Sequence, residues 1–417
     1  MKSFNSLPDA ARSDDLRRRN RQRVLGAVRD NAVLSRSDIS SFTGLSAATV
    51  SAITSDLIAE DVLMLKSANS AAAMGRGRPK VELGLNPSAG VIAAMNLQLN
   101  FASAAIVDYA TQTQAHVTCR IDSYAASARK IRSALVRCLK DALKEWGGDV
   151  EMLRRIVVGV QGTTDVAGTS LLWSPITRHR NLPVQSWLQS AFGVPAIICN
   201  DADLIALALN HSEPDRYGPN FAAILLAHGV GMGLFLRGQP VYGTKSSGAE
   251  FGHMIYMPDG ALCRCGSRGC IEAYAGDYAI LRRARGEQGS ATPVNFVEDT
   301  DIAEIVRAAE AGDACARAAI ETAGAALGGG LASLYALVDP FPIVLIGNGT
   351  LTCKVIEPAI RQAIAKSKAV LTVDEGQGDV ADQLKIDYIL DGETLVQRGG
   401  VVQALKALDH EFVDAVY

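Results

Sequence analysis

Three cysteines within eight positions, Cys263, Cys265 and Cys270, constrain this chain most, because its 417 residues hold only 8 cysteines in all. Thiols this sparse do not make a disulfide framework, so their crowding points to metal binding in a reducing compartment. His253 lies ten positions before Cys263. One imidazole and three thiolates suit tetrahedral zinc, with Zn–S near ~2.3 Å. Four such ligands leave no coordination position open, so the expected zinc is structural. The other five cysteines read as ordinary core residues.

Two carboxylates are tied to this knot. Glu250 sits in Glu250-Phe251-Gly252-His253, and Glu272 follows the last cysteine by two positions. Carboxylates accept hydrogen bonds from hydroxyls in pairs, so a polyhydroxylated ligand such as a sugar is the natural guest of a loop fixed in this way. Asn200-Asp201 ends a predicted strand, Ala196 to Cys199, and ligands of α/β sheets gather at carboxyl ends of strands.

Apolar residues make up 48% of the chain and charged residues 20%, the composition of a folded globular protein. The longest apolar stretch, Phe221 to Phe235, is interrupted by His228 and three glycines and falls short of the ~20 residues that span a bilayer. Residues 1–15 lack the greasy core of a secretory signal, so no membrane span and a cytoplasmic location are expected. The net charge of -3 conceals an asymmetry: residues 1–85 hold 13 Lys and Arg against 9 Asp and Glu, and the remainder 28 against 35. A basic front on an acidic body suits a polyanionic partner for the front alone.

That front reads as a DNA-binding module. Leu16, Val24, Leu25 and Val28 mark an amphipathic helix from Asp15 to Val28 with its arginines (Arg17, Arg18, Arg19, Arg21, Arg23) outward. A second short helix, Ser37 to Phe42, stops at Thr43-Gly44. A third begins after Ser46 and runs to about Glu60, with Val50, Ile53 and Leu57 inward and Ser46, Ala47, Ala48, Thr49 and Ser51 on its outer, N-terminal part. Small side chains there let a recognition helix sink into the major groove. Arg36 joins these residues as an expected DNA contact. Val62 to Leu65 and Lys80 to Leu83 are predicted strands of a wing, and Arg76 and Arg78 in Gly-Arg-Gly-Arg-Pro suit a narrow minor groove.

After Pro87 the pattern is α/β. Predicted strands are Ile92 to Met95, Ala104 to Asp108, Ile156 to Val160 and Ile343 to Ile346, with a glycine-interrupted hairpin over Phe221 to Gly238. Predicted helices run from about Ala125 to Trp146, Asp301 to Leu337 and Thr394 to Leu408. The expected domains are a winged helix-turn-helix over 1–85 and a two-lobed body over 86–417, whose zinc loop spans about 250–275.

Over nearly its whole length the chain resembles the ROK family (repressors, open reading frames and kinases), in its repressor branch. The resemblance rests on Leu34-Ser35-Arg36-Ser37-Asp38-Ile39 with Thr43-Gly44-Leu45-Ser46, on Asn200-Asp201, on Gly248-Ala249-Glu250-Phe251-Gly252-His253, and on Cys263, Cys265 and Gly269-Cys270-Ile271-Glu272. It implies a sugar-kinase-like body of the actin and hexokinase type. It also implies sugar contacts at Asn200, Asp201, Glu250, His253 and Glu272, and zinc ligation by His253, Cys263, Cys265 and Cys270. In kinase members the position of Asp201 takes the proton from the sugar hydroxyl. Ala249 stands where the family usually has glycine.

The kinase phosphate loops are altered. Asn96-Leu97-Gln98-Leu99-Asn100 replaces Asp-x-Gly-Gly-Thr, and Ala227-His228-Gly229-Val230-Gly231-Met232-Gly233 replaces Gly-Thr-Gly-x-Gly-x-Gly. Phosphoryl transfer depends on positioning and neutralising the nucleotide, so these changes argue against an enzyme. The expected function is a sugar-responsive repressor, a homodimer or homotetramer that binds double-stranded operator DNA and whose grip is altered by a sugar or sugar phosphate. The alternative is an ATP-dependent sugar kinase with an appended DNA-binding domain.

Overall fold

The computed structural model describes residues 9–66, 81–287, 289, 292–294, 297–367 and 383–414. Arg76 and Arg78 lie outside the described residues.

In the N-terminal head, helix α1 (Asp9–Asn31) leads through β1 (Val33–Ser35) to α2 (Arg36–Thr43) and α3 (Ala47–Ala59). Ser35 opens α2 with a capping box: its hydroxyl accepts from the Asp38 N–H at 3.3 Å, and the Asp38 carboxylate accepts from the Ser35 N–H at 3.1 Å. Gly44 closes α2 in the left-handed region (φ 65), and Ser46 caps α3 by accepting from the Thr49 N–H at 3.1 Å. The α2 and α3 axes turn by 117°, within the range of a helix-turn-helix. Strands β2 (Leu63–Lys66) and β3 (Glu82–Leu85) pair antiparallel with Leu65 opposite Leu83, and β1 adds to the other side of β3. The wing strands therefore stand one to two residues later than predicted.

Helix α1 departs from expectation in which face it buries. Leu16 is 60% exposed, whereas Arg21 is fully buried, with its guanidinium on the Glu60 carboxylate (2.5 and 3.2 Å) and on the Phe412 carbonyl (3.0 Å). Arg17 pairs with Asp56 at 2.8 Å, and Arg23 donates to the Thr43 carbonyl. Three of the five arginines expected to point outward thus tie the head together, because α1 crosses α2, α3 and the body along that face.

The body opens with β4 (Val91–Leu97), β5 (Phe101–Asp108), β6 (Thr113–Arg120), α4 (Ala128–Trp146) and β7 (Leu153–Val160). There follow β8 (Thr163–Thr164), β9 (Leu171–Trp173), α5 (Val184–Phe192), β10 (Ala196–Asn200), α6 (Asp201–Ser212) and α7 (Pro214–Tyr217). Next come β11 (Phe221–Leu226), β12 (Val230–Leu236), β13 (Gln239–Pro240), α8 (Glu272–Ala275) and α9 (Asp277–Ala284). The chain ends with α10 (Asp299–Glu310), α11 (Ala314–Val338), β14 (Ile343–Ile346), α12 (Cys353–Ala365), β15 (Ile386–Ile389) and α13 (Gly392–Asp414). The helical region predicted over Asp301 to Leu337 holds two helices, separated at Gly312 (φ 99) and restarted by the Asp313 cap.

Two five-stranded sheets form the lobes, in the orders β10-β7-β4-β5-β6 and β13-β12-β11-β14-β15. β10, β7 and β4 run parallel, and so do β11, β14 and β15. Helices α4 and α5 pack with the first sheet, and α9 to α12 with the second. Helix α6 lies between the lobes, and two glycines let it be approached closely. A Cβ on Gly233 of β12 would lie 2.2 Å from the Ala202 carbonyl, and one on Gly399 of α13 would lie 1.9 Å from the Leu204 carbonyl.

The head docks on the C-terminal helix. Asp409 of α13 accepts from Arg29 of α1 and from the Tyr109 hydroxyl, both at 2.6 Å, while the Phe412 ring meets Tyr109 edge-on at 5.2 Å. A continuous buried apolar cluster runs from the head through Tyr109 into α6, α13 and β11. Of the five cysteines outside the knot, only Cys138 is buried; Cys119, Cys199 and Cys353 are half-buried and Cys315 is exposed, which corrects the expectation that all five are core residues.

Candidate functional site

The first half of the site is the junction of β10 with α6. The Asn200 amide caps α6, its oxygen accepting from the Asp203 N–H (3.1 Å) and its nitrogen donating to the Gly162 carbonyl (3.0 Å). Asp201 starts α6 with only 6% exposure, and its carboxylate accepts from the Ala202 N–H at 2.9 Å. Burial, with the Glu250 charge adding to it, pushes the Asp201 carboxyl up to about 7. Asp203, a residue the sequence reading passed over, is pushed up to about 8 by burial and by the charges of Asp201 and Glu250. An acidic residue two positions beyond an Asn-Asp strand end was the available signal.

The second half comes from the loop before the knuckle. Ala249 takes φ 50, left-handed backbone that costs a side-chain-bearing residue about 1–2 kcal/mol. This explains why glycine suits the position, and shows that alanine is accommodated. Glu250 follows, exposed, and accepts from the Thr163 hydroxyl at 2.7 Å. His253 is half-buried with Trp173 edge-on at 5.5 Å. Thr163 and Trp173 were not singled out as site residues, because only the fold brings β8 and β9 to this loop.

The knuckle assembles as expected. The ligand atoms of His253, Cys263, Cys265 and Cys270 all lie within 4.8 Å of one another, so the group could hold a metal ion. Cys263 Sγ is 3.8 Å from His253 Nδ1, and Cys265 Sγ is 3.8 Å from Cys270 Sγ. A regular tetrahedron with Zn–S of ~2.3 Å has edges of about 3.8 Å, so the donor set and its spacing fit zinc. Glu272 is buried beside it at 3% exposure. One of its carboxylate oxygens accepts from the Val230 N–H (3.1 Å), and the other accepts from the Tyr278 hydroxyl (3.4 Å) and lies 3.4 Å from Cys263 Sγ. Glu272 therefore braces the knuckle against the β11–β12 hairpin and is not a surface residue.

Between the lobes lies a cavity of about 370 Å³. Of the five expected sugar contacts only Asp201 lines it; the space lies toward Gln98 to Phe101 and Ala227-His228. Its walls carry Asp201, Asp277, Glu298, Asp299, Asp391 and Glu393, and no Lys or Arg among the described residues. His228 points its Nδ1 at Asp277 (2.9 Å), which also faces Arg264 of the knuckle at 3.4 Å. Arg264 donates to the His228 carbonyl as well, so the second loop is bound to the knuckle. Asn96 is 3% exposed and finds no hydrogen-bond partner for its amide.

On the head, Ser46, Ala47, Ala48 and Ser51 are exposed along the start of α3, in the arrangement expected. Thr49 is half-buried with its hydroxyl on Ser46 (2.8 Å), and Arg36 is half-buried and donates to the Thr54 hydroxyl at 2.9 Å.

Comparison with known proteins agrees with both parts. Residues 17–64 match the winged helix-turn-helix DNA-binding family. A xylose repressor of Caldicellulosiruptor bescii is 25% identical over 342 residues, covering 80% of this chain and 84% of that protein. The crystal structure of a ROK family transcriptional regulator, a homologue of Escherichia coli Mlc, superposes with a TM-score of 0.75 at 22% identity, over 96% of this chain and 98% of the other. A ROK family glucokinase from Streptomyces griseus gives a TM-score of 0.59 at 22% identity, covering 76% of this chain and all (100%) of its own. Repressor and kinase thus share this body, and since the ROK family pattern matches residues 101–373, more than half of the sequence, the chain belongs to the ROK family.

Proposed function

We propose that this protein is a sugar-responsive transcriptional repressor whose grip on double-stranded operator DNA is set by a sugar or sugar phosphate held between its lobes. The observation that carries the reading is the course of α13. Its start, Gly392 and Glu393 with Asp391 just before it, borders the cleft, and its last turns hold α1 of the head through Asp409, His410 and Phe412. A ligand that prefers one lobe arrangement thereby biases where the head sits, which is what coupling between two sites requires.

The head, residues 1–85, reads DNA through Ser46, Ala47, Ala48, Thr49 and Ser51 on α3, with Arg36, Arg76 and Arg78 supplying phosphate or minor-groove contacts. The body, residues 86–417, contacts the effector through Asn200, Asp201, Glu250, His253 and Glu272. Structural zinc held by His253, Cys263, Cys265 and Cys270 fixes Glu272 and, through Arg264, the second loop. When bound, the metal supplies cross-linking of the loop and no open coordination position. We assign the protein to the cytoplasm as a homodimer or homotetramer on a symmetric operator. No single described helix is long and apolar enough to cross a membrane.

Titration of operator binding against neutral sugars and their phosphates tests the reading; indifference to every effector would refute it. The kinase reading draws on the shared body and on Asp201, and predicts sugar-dependent ADP release with magnesium that is lost in Asp201→Asn. The His228–Asp277 pair favours the regulator.

A further inference from the structure

A second cavity, of about 640 Å³, opens where head and body meet. Its walls are one face of α13 from Thr394 to Asp409, the last turn of α6, the turn between β5 and β6, and Arg29 of α1. The volume falls within the ~300–1,000 Å³ of small-molecule sites. Unlike the interlobe cleft, it is cationic. Arg29, His211, Arg398 and Lys406 line it, and Asp409 is the single carboxylate among its lining residues.

That carboxylate is already engaged, accepting from Arg29 and from the Tyr109 hydroxyl, both at 2.6 Å. Neither Arg398 nor Lys406 forms an ion pair among the described residues. The Arg29 side chain is only 8% exposed, yet its Nε has no hydrogen-bond partner. Its Nη1 donates to the Tyr109 carbonyl at 3.2 Å and its Nη2 to Asp409, so the guanidinium is held in place at the cavity wall. Burial depresses His211 below its usual range, and the nearby charges of Lys406 and Arg29 lower it further against an opposing pull from Asp30, which favours the neutral imidazole. The positive charge of the cavity therefore rests on Arg29, Arg398 and Lys406. Val107, Val401, Val402 and Leu405 form an apolar floor beneath them.

We propose that this cavity is a second ligand site, for a small organic anion with an apolar body and a phosphate, sulfonate or carboxylate group. The anion sits between Arg29 on the head side and Arg398 and Lys406 on the body side, with its carbon skeleton on the valine and leucine floor. Because one wall belongs to α1 and the others to α6 and α13, occupancy stiffens the joint between head and body. The site is separate from the sugar pocket and stands whether or not the effector is a sugar.

The full-length protein is titrated with the anionic dye 1-anilinonaphthalene-8-sulfonate and followed by fluorescence. One saturable site per chain is expected. Arg398→Gln/Lys406→Gln, both exposed and without an ion pair among the described residues, should weaken it at least about tenfold, the loss of one charge-assisted hydrogen bond or more. Rising salt should weaken the dye in the parent protein more steeply than in the double variant. Equal affinity in the two proteins, or salt-independent binding that marks a purely apolar patch, overturns the proposal, and so does an absence of saturable binding.

Discussion

On the proposed assignment, effector affinity depends on the ionisation of Asp201, which provides a test with a calculable size. Burial and Glu250 hold this carboxyl near about 7. A sugar O–H donating to an ionised carboxylate makes a charge-assisted bond, roughly twice as strong as a neutral one. Binding therefore favours the deprotonated form, and affinity follows the ionised fraction. With a midpoint near 7, that fraction rises from roughly a tenth at pH 6 to nine-tenths at pH 8, about a tenfold gain, or ~1.4 kcal/mol.

The same shift acts on stability with the opposite sign. Asp201 and Asp203, raised to about 7 and about 8, bind protons more tightly when folded. Their favourable contribution is complete below the unfolded value of ~3.9 and is lost as pH climbs through those folded values. Calorimetric titration of the effector, run in two buffers of different ionisation enthalpy, measures both affinity and protons released. Release of part of a proton at pH 6.5, vanishing in Asp201→Asn together with the pH dependence, is the expected outcome. Affinity that stays flat or falls between pH 6 and 8 in the parent protein refutes the argument.

Three other perturbations probe separate links. Cys263→Ser, or chelation of the metal, should lower melting temperature and sugar response together, because Glu272 and Arg264 both lean on the knuckle; metal analysis of fresh protein without zinc removes that idea. Gly399→Ala forces a methyl onto the Leu204 carbonyl and should destabilise the body by about 1–3 kcal/mol in denaturant unfolding; a change under a few tenths would show that α6 and α13 shift apart freely. Arg29→Met strips the buried partner from Asp409, which should cost about 3 kcal/mol and free the head to faster proteolysis while the body resists; unchanged cleavage would mean the head is held elsewhere.

The sequence by itself determined whatever depends on near neighbours. The Ser35 and Ser46 caps, the Gly44 turn and the apolar spacing of Val50, Ile53 and Leu57 fix the helix-turn-helix, since each acts within a few residues. The Cys263, Cys265 and Cys270 spacing with His253 announced a metal knuckle, because a short loop can satisfy a tetrahedral donor set locally. Asn200-Asp201 was legible for the same reason, as the end of a short apolar strand.

Tertiary structure alone decided which charged groups are spent and which remain available. Arg21 and Leu16 exchange the places that helical periodicity assigned them, because α13, nearly four hundred residues away, supplies Arg21 with the Phe412 carbonyl as an acceptor. Glu272 turns inward, and Asp203, Thr163 and Trp173 reach the site, only when the lobes close on α6. A carboxylate or guanidinium is indifferent to its neighbours in sequence; its charge state and its use follow from the dielectric and the partners that folding places around it, and no local pattern records those.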